Sequence, residues 1–423
     1  MADGGLIKAL SDDIVQSSYF ARHPGGRVFL YERGVYVPGG EIFIRSQVKA
    51  TLSRWGKSKS WTSKLGKEVV EYISLGLPEL EVTPAPDILN LENGVLDLGR
   101  LDLYPHFPEF LSACRIPLTY DPHACCPRIE EFFHQVLPAD SVNLAWQIAG
   151  DLLTPDRSIQ KTILAIGEGG NGKSVFLNLL VSFVGPRNVT NLSLQKLETD
   201  RFAVARLYGK LANICADLPS EHLVNSAIFK SLTGGDRITG EFKFCDSFEF
   251  TPCCRLVFSA NHLPQSKDAS PAFHDRWLII PFERRFRGTA MEVRRDVLDR
   301  TLTAPDELAG ALNRALPALR MIRQSGQFSE TKSTRAAIAE YRKVTDFLGT
   351  WIEEKTITAP ELVTSQEGLH TGYNRACIED GRPILTKQAF GRALARLQPG
   401  IQEAQRTIDG RRQWVYIGIG MRG

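Results

Sequence analysis

The sequence predicts an α/β protein built on a parallel sheet wound with helices, and three observations predict it. Residues 162–180 read TILAIGEGGNGKSVFLNLL: an apolar β-rich run, a glycine-rich loop, then an apolar helix start. Three more short apolar runs follow at 211–215 (LANIC), 255–259 (RLVFS) and 278–282 (LIIPF). Helical stretches separate these runs, and strands alternating with helices make a parallel sheet.

The loop is the element that organises the chain. Gly167-Glu168-Gly169-Gly170-Asn171-Gly172-Lys173-Ser174 fits G-x-x-x-x-G-K-[ST], with the strand before it and the helix after it that this pattern requires. Its glycines let the backbone curl so that N–H groups point inward at an anion, and the new helix adds its positive end. Lys173 is placed to reach β- and γ-phosphates, and the Ser174 hydroxyl to ligate Mg²⁺. The expected ligands are ATP and Mg²⁺, with Gly167, Gly169, Gly170, Asn171, Gly172, Lys173, Ser174 and Val175 as the nucleotide contacts.

Length and composition bound the rest. A chain of 423 residues has room for two or three domains. With 51 basic and 48 acidic residues the net charge is +3, so nucleic-acid contacts must come from local patches. No apolar run approaches a membrane span, and MADGGLIKALSDD lacks a signal-peptide core, so a cytoplasmic protein is expected. The eight cysteines include the adjacent pairs Cys125-Cys126 and Cys253-Cys254 but no C-x-x-C, which reads as buried thiols in a reducing cytosol. His123 beside the first pair is a weak metal hint.

In chain order, residues 1–80 are mixed. Residues 27–37 alternate and turn like a β-hairpin, and 40–80 are mostly helical. Arg54, Trp55, Lys57, Lys59, Trp61 and Lys64 interleave cations with aromatics, which suits single-stranded nucleic acid. A solvated helix face with two core tryptophans is the plainer reading. Residues 78–90 are a Pro- and Glu-rich connector, and Asn93-Gly94 marks a tight hairpin turn. Residues 128–153 form a helix pair leading into the loop's strand. Downstream, 228–232 is helical, and 238–244 with 248–250 make a hairpin. Residues 291–325 are helical, and 324–333 form a polar linker. The last 85 or so residues carry helices near 334–354, 366–380 and 386–397, then a hairpin over 401–419 turning at Asp409-Gly410. Helices followed by a two-stranded wing predict a winged helix-turn-helix.

Three further residues draw attention. Asp217, just past the run 211–215, is the carboxylate to bring to Mg²⁺, or else a helix cap before Pro219-Ser220. Glu221 is a looser second acid. Asn261 ends the run 255–259 and could meet a γ-phosphate, although Asn before Leu-Pro is ordinary in turns. Arg276 could salt-bridge locally, or act as an arginine finger on a neighbour's γ-phosphate.

Taken together, the loop, LANICADL, FKSLTGGDRITGEFKF, FTPCCRLVFSANHLP and DRWLIIPFERRF resemble the ordered motifs of a superfamily 3 helicase. More narrowly, they resemble the helicase part of the phage and plasmid primase family, related to the poxvirus primase-helicase. The upstream ILNLENGVLDLG and IPLTYDPHACCPRIEEFF extend the resemblance to about residues 85–330. It implies a P-loop AAA+-like ATPase core, with Asp217 as the second acidic motif and Asn261 as the sensor asparagine. Arg276 is then the arginine completing the neighbouring subunit's site, and catalysis rests on Lys173, Asp217, Asn261 and Arg276. Residues 230–250 match the hairpin that such helicases project into a ring channel, where Lys243 and Phe244 fall among the DNA-gripping residues. Ala216 stands where many relatives carry a second acid.

The expected organisation is an N-terminal mixed and helical, collar-like domain over 1–140, the ATPase/helicase domain over 141–325 and a winged-helix-like domain over 334–423. The expected function is an ATP-driven DNA helicase of a virus, phage or plasmid, acting on single-stranded and forked DNA as a homo-oligomeric ring, a hexamer, with no membrane partner. A primase or polymerase on a separate chain is left open. Two rivals remain: a ring ATPase that remodels an origin without unwinding, and a DNA-binding protein with a decayed ATPase site.

Overall fold

A computed structural model describes residues 4–23, 25–80, 83–218, 226–243, 247–264, 266, 268, 270–380, 382, 384–408 and 410–422. The chain divides into two compact units, Met1–Pro264 with Asp275–Ala337, and Gln265–His274 with Ile338–Gly423.

The first unit opens with α1 (Gly4–Ser17), β1 (Phe20–Arg22), β2 (Val28–Glu32), β3 (Val35–Pro38), α2 (Gly40–Arg54) and α3 (Ser63–Leu75). The expected hairpin is β2–β3, closed by Glu32↔Val35. Its two turn residues, Arg33 and Gly34, have φ of 48° and 89°, the left-handed pair that a two-residue turn needs to match strand twist. The Thr62 hydroxyl accepts the Leu65 N–H at 3.0 Å and so starts α3. The three helices bury Leu10, Ile14, Val48, Leu52, Val69 and Ile73 together.

A three-stranded meander follows: β4 (Ile88–Leu91), β5 (Gly94–Asp97) and β6 (Leu103–Tyr104). Its turn falls one residue earlier than expected, because Leu91 pairs with Gly94 and leaves Glu92-Asn93 as the loop. Gly94 is required for a different reason. A Cβ there would lie 2.4 Å from the Tyr104 carbonyl, so β6 could not approach any other residue.

The expected helix pair is α4 (Pro127–Val136) and α5 (Val142–Asp151). Pro127 suits the first position of α4. Then come β7 (Thr162–Ile166), α6 (Lys173–Val184), β8 (Val189–Thr190), α7 (Leu194–Thr199), α8 (Arg201–Ala205), β9 (Ala212–Cys215) and α9 (Ser226–Gly234). They are followed by β10 (Ile238–Glu241), β11 (Ser247–Phe250), β12 (Arg255–Ala260), α10 (Pro271–His274), β13 (Trp277–Pro281), α11 (Arg295–Leu302) and α12 (Pro305–Ser325). Strands β13–β7–β12–β9–β8 form a five-stranded sheet in that order, parallel throughout. All four apolar runs named above are in it. The strands are buried on both faces, which is why they read as mainly apolar runs without alternation. Helices α4, α5, α6 and α12 share the main core, with Phe133, Trp146, Phe176 and Leu312 inside it.

The remaining elements are α13 (Lys332–Thr345), α14 (Phe347–Lys355), β14 (Thr356–Ser365), α15 (Gln366–Glu379), α16 (Lys387–Leu397), β15 (Gln402–Ile408) and β16 (Arg411–Met421). The second unit folds on Trp351, Leu369, Tyr373, Phe390, Leu394 and Tyr416. Its sheet has the order β14–β16–β15, antiparallel, so the expected two-stranded hairpin gains a third strand that the sequence had not announced. Asp409 of the expected turn lies outside the described residues. The polar linker expected over 324–333 is shorter, since α12 runs to Ser325 and α13 begins at Lys332. Among the described residues no helix is long and apolar enough to cross a membrane.

Candidate functional site

Strand β7 lies between β13 and β12, and its carboxyl end opens into the loop 167–172. In open parallel sheets, ligands collect outside the carboxyl ends of the strands. At two of its positions the loop has no room for a side chain. At Gly167 a Cβ would sit 2.4 Å from the Phe282 carbonyl oxygen. Gly172, with φ of 90°, precedes α6 directly, and its Cβ would strike Val136 at 2.7 Å. No side chain caps the N-terminus of α6, so its first N–H groups remain available to an anion.

Lys173 is buried, and its ammonium has only oxygen acceptors around it. It donates to the Gly167 carbonyl, to Asn171 Oδ1 at 3.2 Å and to Asn261 Oδ1 at 3.3 Å. Burial pulls its pKa below the ordinary lysine value, and the Asp217 carboxylate opposes that shift. Asn171, also buried, donates its Nδ2 to the Phe282 carbonyl at 2.9 Å and so fixes the loop against the chain leaving β13. Ser174 is exposed at the rim, and Val175 is buried beneath it.

Asp217 follows β9 with φ of 57°, one of three described non-glycine residues with positive φ. Asp tolerates this region better than most residues do, and backbone held there often marks a functional position. Its N–H donates to Ser259 Oγ at 3.3 Å, which ties the end of β9 to β12, and its side chain is exposed. Asn261 directly follows β12. The fold therefore gathers Lys173, Ser174, Asp217 and Asn261 at one edge of the sheet. Glu221, and the Pro219-Ser220 on which the capping alternative for Asp217 depended, lie outside the described residues.

The donors suit Mg²⁺, which takes one or two carboxylates and completes its shell with phosphate oxygens and water. Asp217 and Ser174 offer exposed hard oxygens beside a loop too tight for any Cβ at Gly167. Among the described residues no group of three or more His, Cys, Asp or Glu gathers for a metal.

Arg276 is not brought to this cluster. It precedes β13, and its carbonyl accepts the Thr162 N–H at 2.6 Å, at the amino end of β7. The loop leaves Ile166, at the other end of the strand, about 13 Å away at the usual rise. Within one chain the two ends cannot meet.

Lys243 is exposed just beyond β10, with its ammonium 6.0 Å from the Phe202 ring. The hairpin β10–β11 is real and antiparallel, and Phe242 stacks on Phe248 at 5.1 Å. Phe244 lies outside the described residues. In the earlier basic–aromatic run, Arg54 pairs with Asp13 at 2.5 Å and Trp61 packs on the N-terminal core, while Trp55 is exposed. That run is thus partly structural.

Two features had no role in the sequence reading. The chain leaving β13 runs along the loop: Phe282 N donates to Ile166 O at 2.7 Å, and Phe286 N and Arg287 N donate to Gly170 O at 2.8 and 3.2 Å. The signal was the basic run FERRFR directly after an apolar strand. At the amino ends of the strands, Arg255 forks onto Asp151 at 2.6 and 2.8 Å, fully buried, with Arg157 beside them.

Comparison with known proteins places this geometry. Residues 31–138 match the family model described as D5 N terminal like, and residues 165–276 match a family of unknown function, DUF5906. The chain is similar to three viral proteins. The protein named Putative helicase 121R, of Invertebrate iridescent virus 3, is 34% identical over 131 residues, which is 28% of this chain and 14% of that protein. Putative helicase 022R of Frog virus 3 (isolate Goorha) is 29% identical over 172 residues, 37% of this chain and 17% of that one. Putative helicase 184R of Invertebrate iridescent virus 6 is 22% identical over 230 residues, 49% of this chain and 23% of that one. Among solved structures, the apo NrS-1 C-terminal region matches 99% of this chain and 100% of its own, with TM-score 0.55 and 12% identity. Its A form gives TM-score 0.54 at 13% identity, covering 98% of both chains.

Together these findings support a resemblance to the phage and viral primase-helicase family. The chain spans less than a quarter of the length of these curated relatives. The match to the NrS-1 region extends the likeness in fold over nearly the whole chain, including the second unit. The DUF5906 match over 165–276 takes in the loop, Asp217 and Asn261, and ends on Arg276.

Proposed function

We propose that this chain is an ATP-driven DNA helicase module of a replication system, with a P-loop AAA+-like core over residues 141–325. The observation that carries this reading is the cluster at the carboxyl edge of the sheet, where Lys173 of the glycine-rich loop is held by Asn171 and Asn261. Lys173 takes the place of a phosphate-binding ammonium whose neutral acceptors give way when an anion arrives. Gly167, Gly169, Gly170 and Gly172 shape the cradle, and Ser174 with Asp217 would hold Mg²⁺. The metal supplies charge neutralisation at the phosphates. Asn261, adjacent to Lys173, is placed to position the attacking water or the terminal phosphate.

Arg276 serves a neighbouring subunit's site in this reading, and that function requires a ring, a hexamer in the expectation we retain. Support comes from its place at the opposite end of β7 from the loop, where its own chain's nucleotide is out of reach. Lys243, with Phe244, contacts single-stranded DNA in the channel of forked substrates. Residues 1–140 form the preceding collar-like domain. Residues 334–423 form a winged helix, supported by the order helix–strand–helix–helix–strand–strand from α14 to β16.

The experiment is forked-duplex unwinding with ATP and Mg²⁺, run beside ATP turnover. Strand displacement that vanishes in Lys173→Ala supports the reading. Turnover without displacement at any salt concentration would favour the origin-remodelling ATPase, and no turnover at all would leave a DNA-binding protein with a decayed site.

A further inference from the structure

The segment after β13 is fastened to the glycine-rich loop at both ends. Phe282 binds Ile166 and Asn171 through its N–H and carbonyl, and Phe286 and Arg287 donate their N–H groups to Gly170 O. Beyond this point the chain closes a tight turn: Thr289 N donates to Phe286 O at 3.0 Å, and Gly288 N to Glu292 Oε2 at 2.8 Å. Arg287 therefore leaves a backbone pinned on both sides. Its Cβ lies 2.6 Å from where a Cβ on Gly170 would be, so the side chain is rooted against the middle of the loop.

Its charge is uncommitted. Further along, Arg294 and Arg295 pair with Asp296 and Asp299, and Arg284 donates to Gln135 O at 3.2 Å. Among the described residues Arg287 makes no ion pair, and it is exposed. A nucleotide's phosphate chain carries several negative charges while Lys173 is the single cation within Gly167–Ser174, which leaves room for a second cation. A guanidinium is the group suited to supply it, because its planar fork matches two phosphate oxygens at once.

We propose that Arg287 contacts the phosphate chain of the nucleotide bound by its own subunit, a contact in cis that complements Lys173. This rests on the nucleotide-binding reading above. The anchoring is by backbone, so Arg287→Ala keeps the bonds to Gly170 and removes only the fork. Arg285, two residues earlier and equally exposed, is the control for bulk charge.

The test is equilibrium binding of ATP, ADP and inorganic tripolyphosphate to the full chain carrying Arg287→Ala, Arg287→Lys, Arg285→Ala or Lys173→Ala, each checked for an unchanged melting temperature. Arg287→Ala should weaken ATP and tripolyphosphate alike by about tenfold, a loss of ~1.4 kcal/mol. Arg287→Lys should recover part of it, and Arg285→Ala should change it less than about twofold. Mixed with Lys173→Ala subunits, Arg287→Ala should restore no turnover, because both residues must come from one chain. Unchanged tripolyphosphate affinity overturns the proposal, as does a loss confined to ATP, which would move the fork to base or ribose. An equal loss in Arg285→Ala would reduce it to bulk charge. Normal ATP binding by Lys173→Ala would instead sink the site itself.

Discussion

The ammonium of Lys173 lies 3.3 Å from Oδ1 of Asn261, a hydrogen bond between residues 88 positions apart that joins the glycine-rich loop to the end of the neighbouring strand. The acceptor is neutral, so it orients the lysine without quenching its charge. A carboxylate at that place would pair with the ammonium and compete with phosphate. Asn261→Asp is therefore expected to weaken ATP binding by at least about tenfold, ~1.4 kcal/mol, and more than Asn261→Ala does. Nucleotide titration of the two variants measures the order, and the reverse order would remove Asn261 from the anion site.

Lys173→Ala should abolish hydrolysis and weaken ATP binding while the chain stays folded, because the glycines and the Phe282–Arg287 segment shape the loop. Burial depresses the lysine's pKa, so the folded chain binds fewer protons here than the unfolded chain as pH falls from the usual lysine value towards the folded one. The buried ammonium thus contributes to a loss of stability as pH falls through that window, and a bound polyphosphate relieves it. ATP binding at alkaline pH should accordingly take up a proton, seen as buffer-dependent heat in calorimetry. Lys173→Ala should show no such uptake.

The place of Arg276 at the amino end of β13 leads to a prediction about subunits. Arg276→Ala should lower turnover with little change in ATP affinity, since a finger acts mainly on transition-state charge. Mixed with Lys173→Ala, it should recover part of the activity, because some sites then receive both residues. Absence of recovery where the subunits demonstrably exchange would return Arg276 to a local structural role.

The parts legible in the sequence were those whose signal is local. Each of the four buried strands was a short, mainly apolar run, and the turn at Arg33-Gly34 sat between alternating residues. Strand β14 was missed because it is mostly exposed and contains Pro360 and Glu361, residues that argue against a strand. The ladder accommodates them with an irregularity between Thr358 and Val363, where pairing with β16 shifts register. Gly94 misled the turn assignment because its glycine serves the close approach of Tyr104. The contacts of Lys173 with Asn261, and of Arg287 with Gly170, span the sheet and have no local signature.

The same holds for Asp151 and Arg255, which are 104 positions apart and almost completely buried. Arg255 also donates to the Ile159 and Lys161 carbonyls at 2.6 Å, and Arg157 donates to Leu211 O at 2.7 Å. The cluster thereby ties α5 to the amino ends of the strands. Asp151→Ala would leave two buried guanidiniums uncompensated and should cost about 3–5 kcal/mol in denaturant unfolding. A loss below ~1 kcal/mol would mean that water reaches the cluster.

Lys243 carries the last prediction. The strands of the hairpin that bears it are braced by aromatic contacts, Phe242 on Phe248 and Tyr208 against Phe248 and Phe250, and by the ion pairs Arg237–Glu249 at 3.0 Å and Arg201–Glu241 at 3.3 Å. Lys243→Ala should leave that brace intact and remove one cation per subunit from the DNA path. Each phosphate neutralised adds to the dependence of affinity on salt, by about 0.7 in the log–log slope for single strands. The slope for single-stranded DNA should become shallower in Lys243→Ala, in proportion to the subunits that touch the strand, and DNA-stimulated ATP turnover should fall with it. Lysine is also common at hairpin edges simply because its charge discourages strand pairing. An unchanged slope together with intact unwinding would assign Lys243 that passive role and leave Trp55, Lys57 and Lys59, in the connection between α2 and α3, as the DNA contact to test.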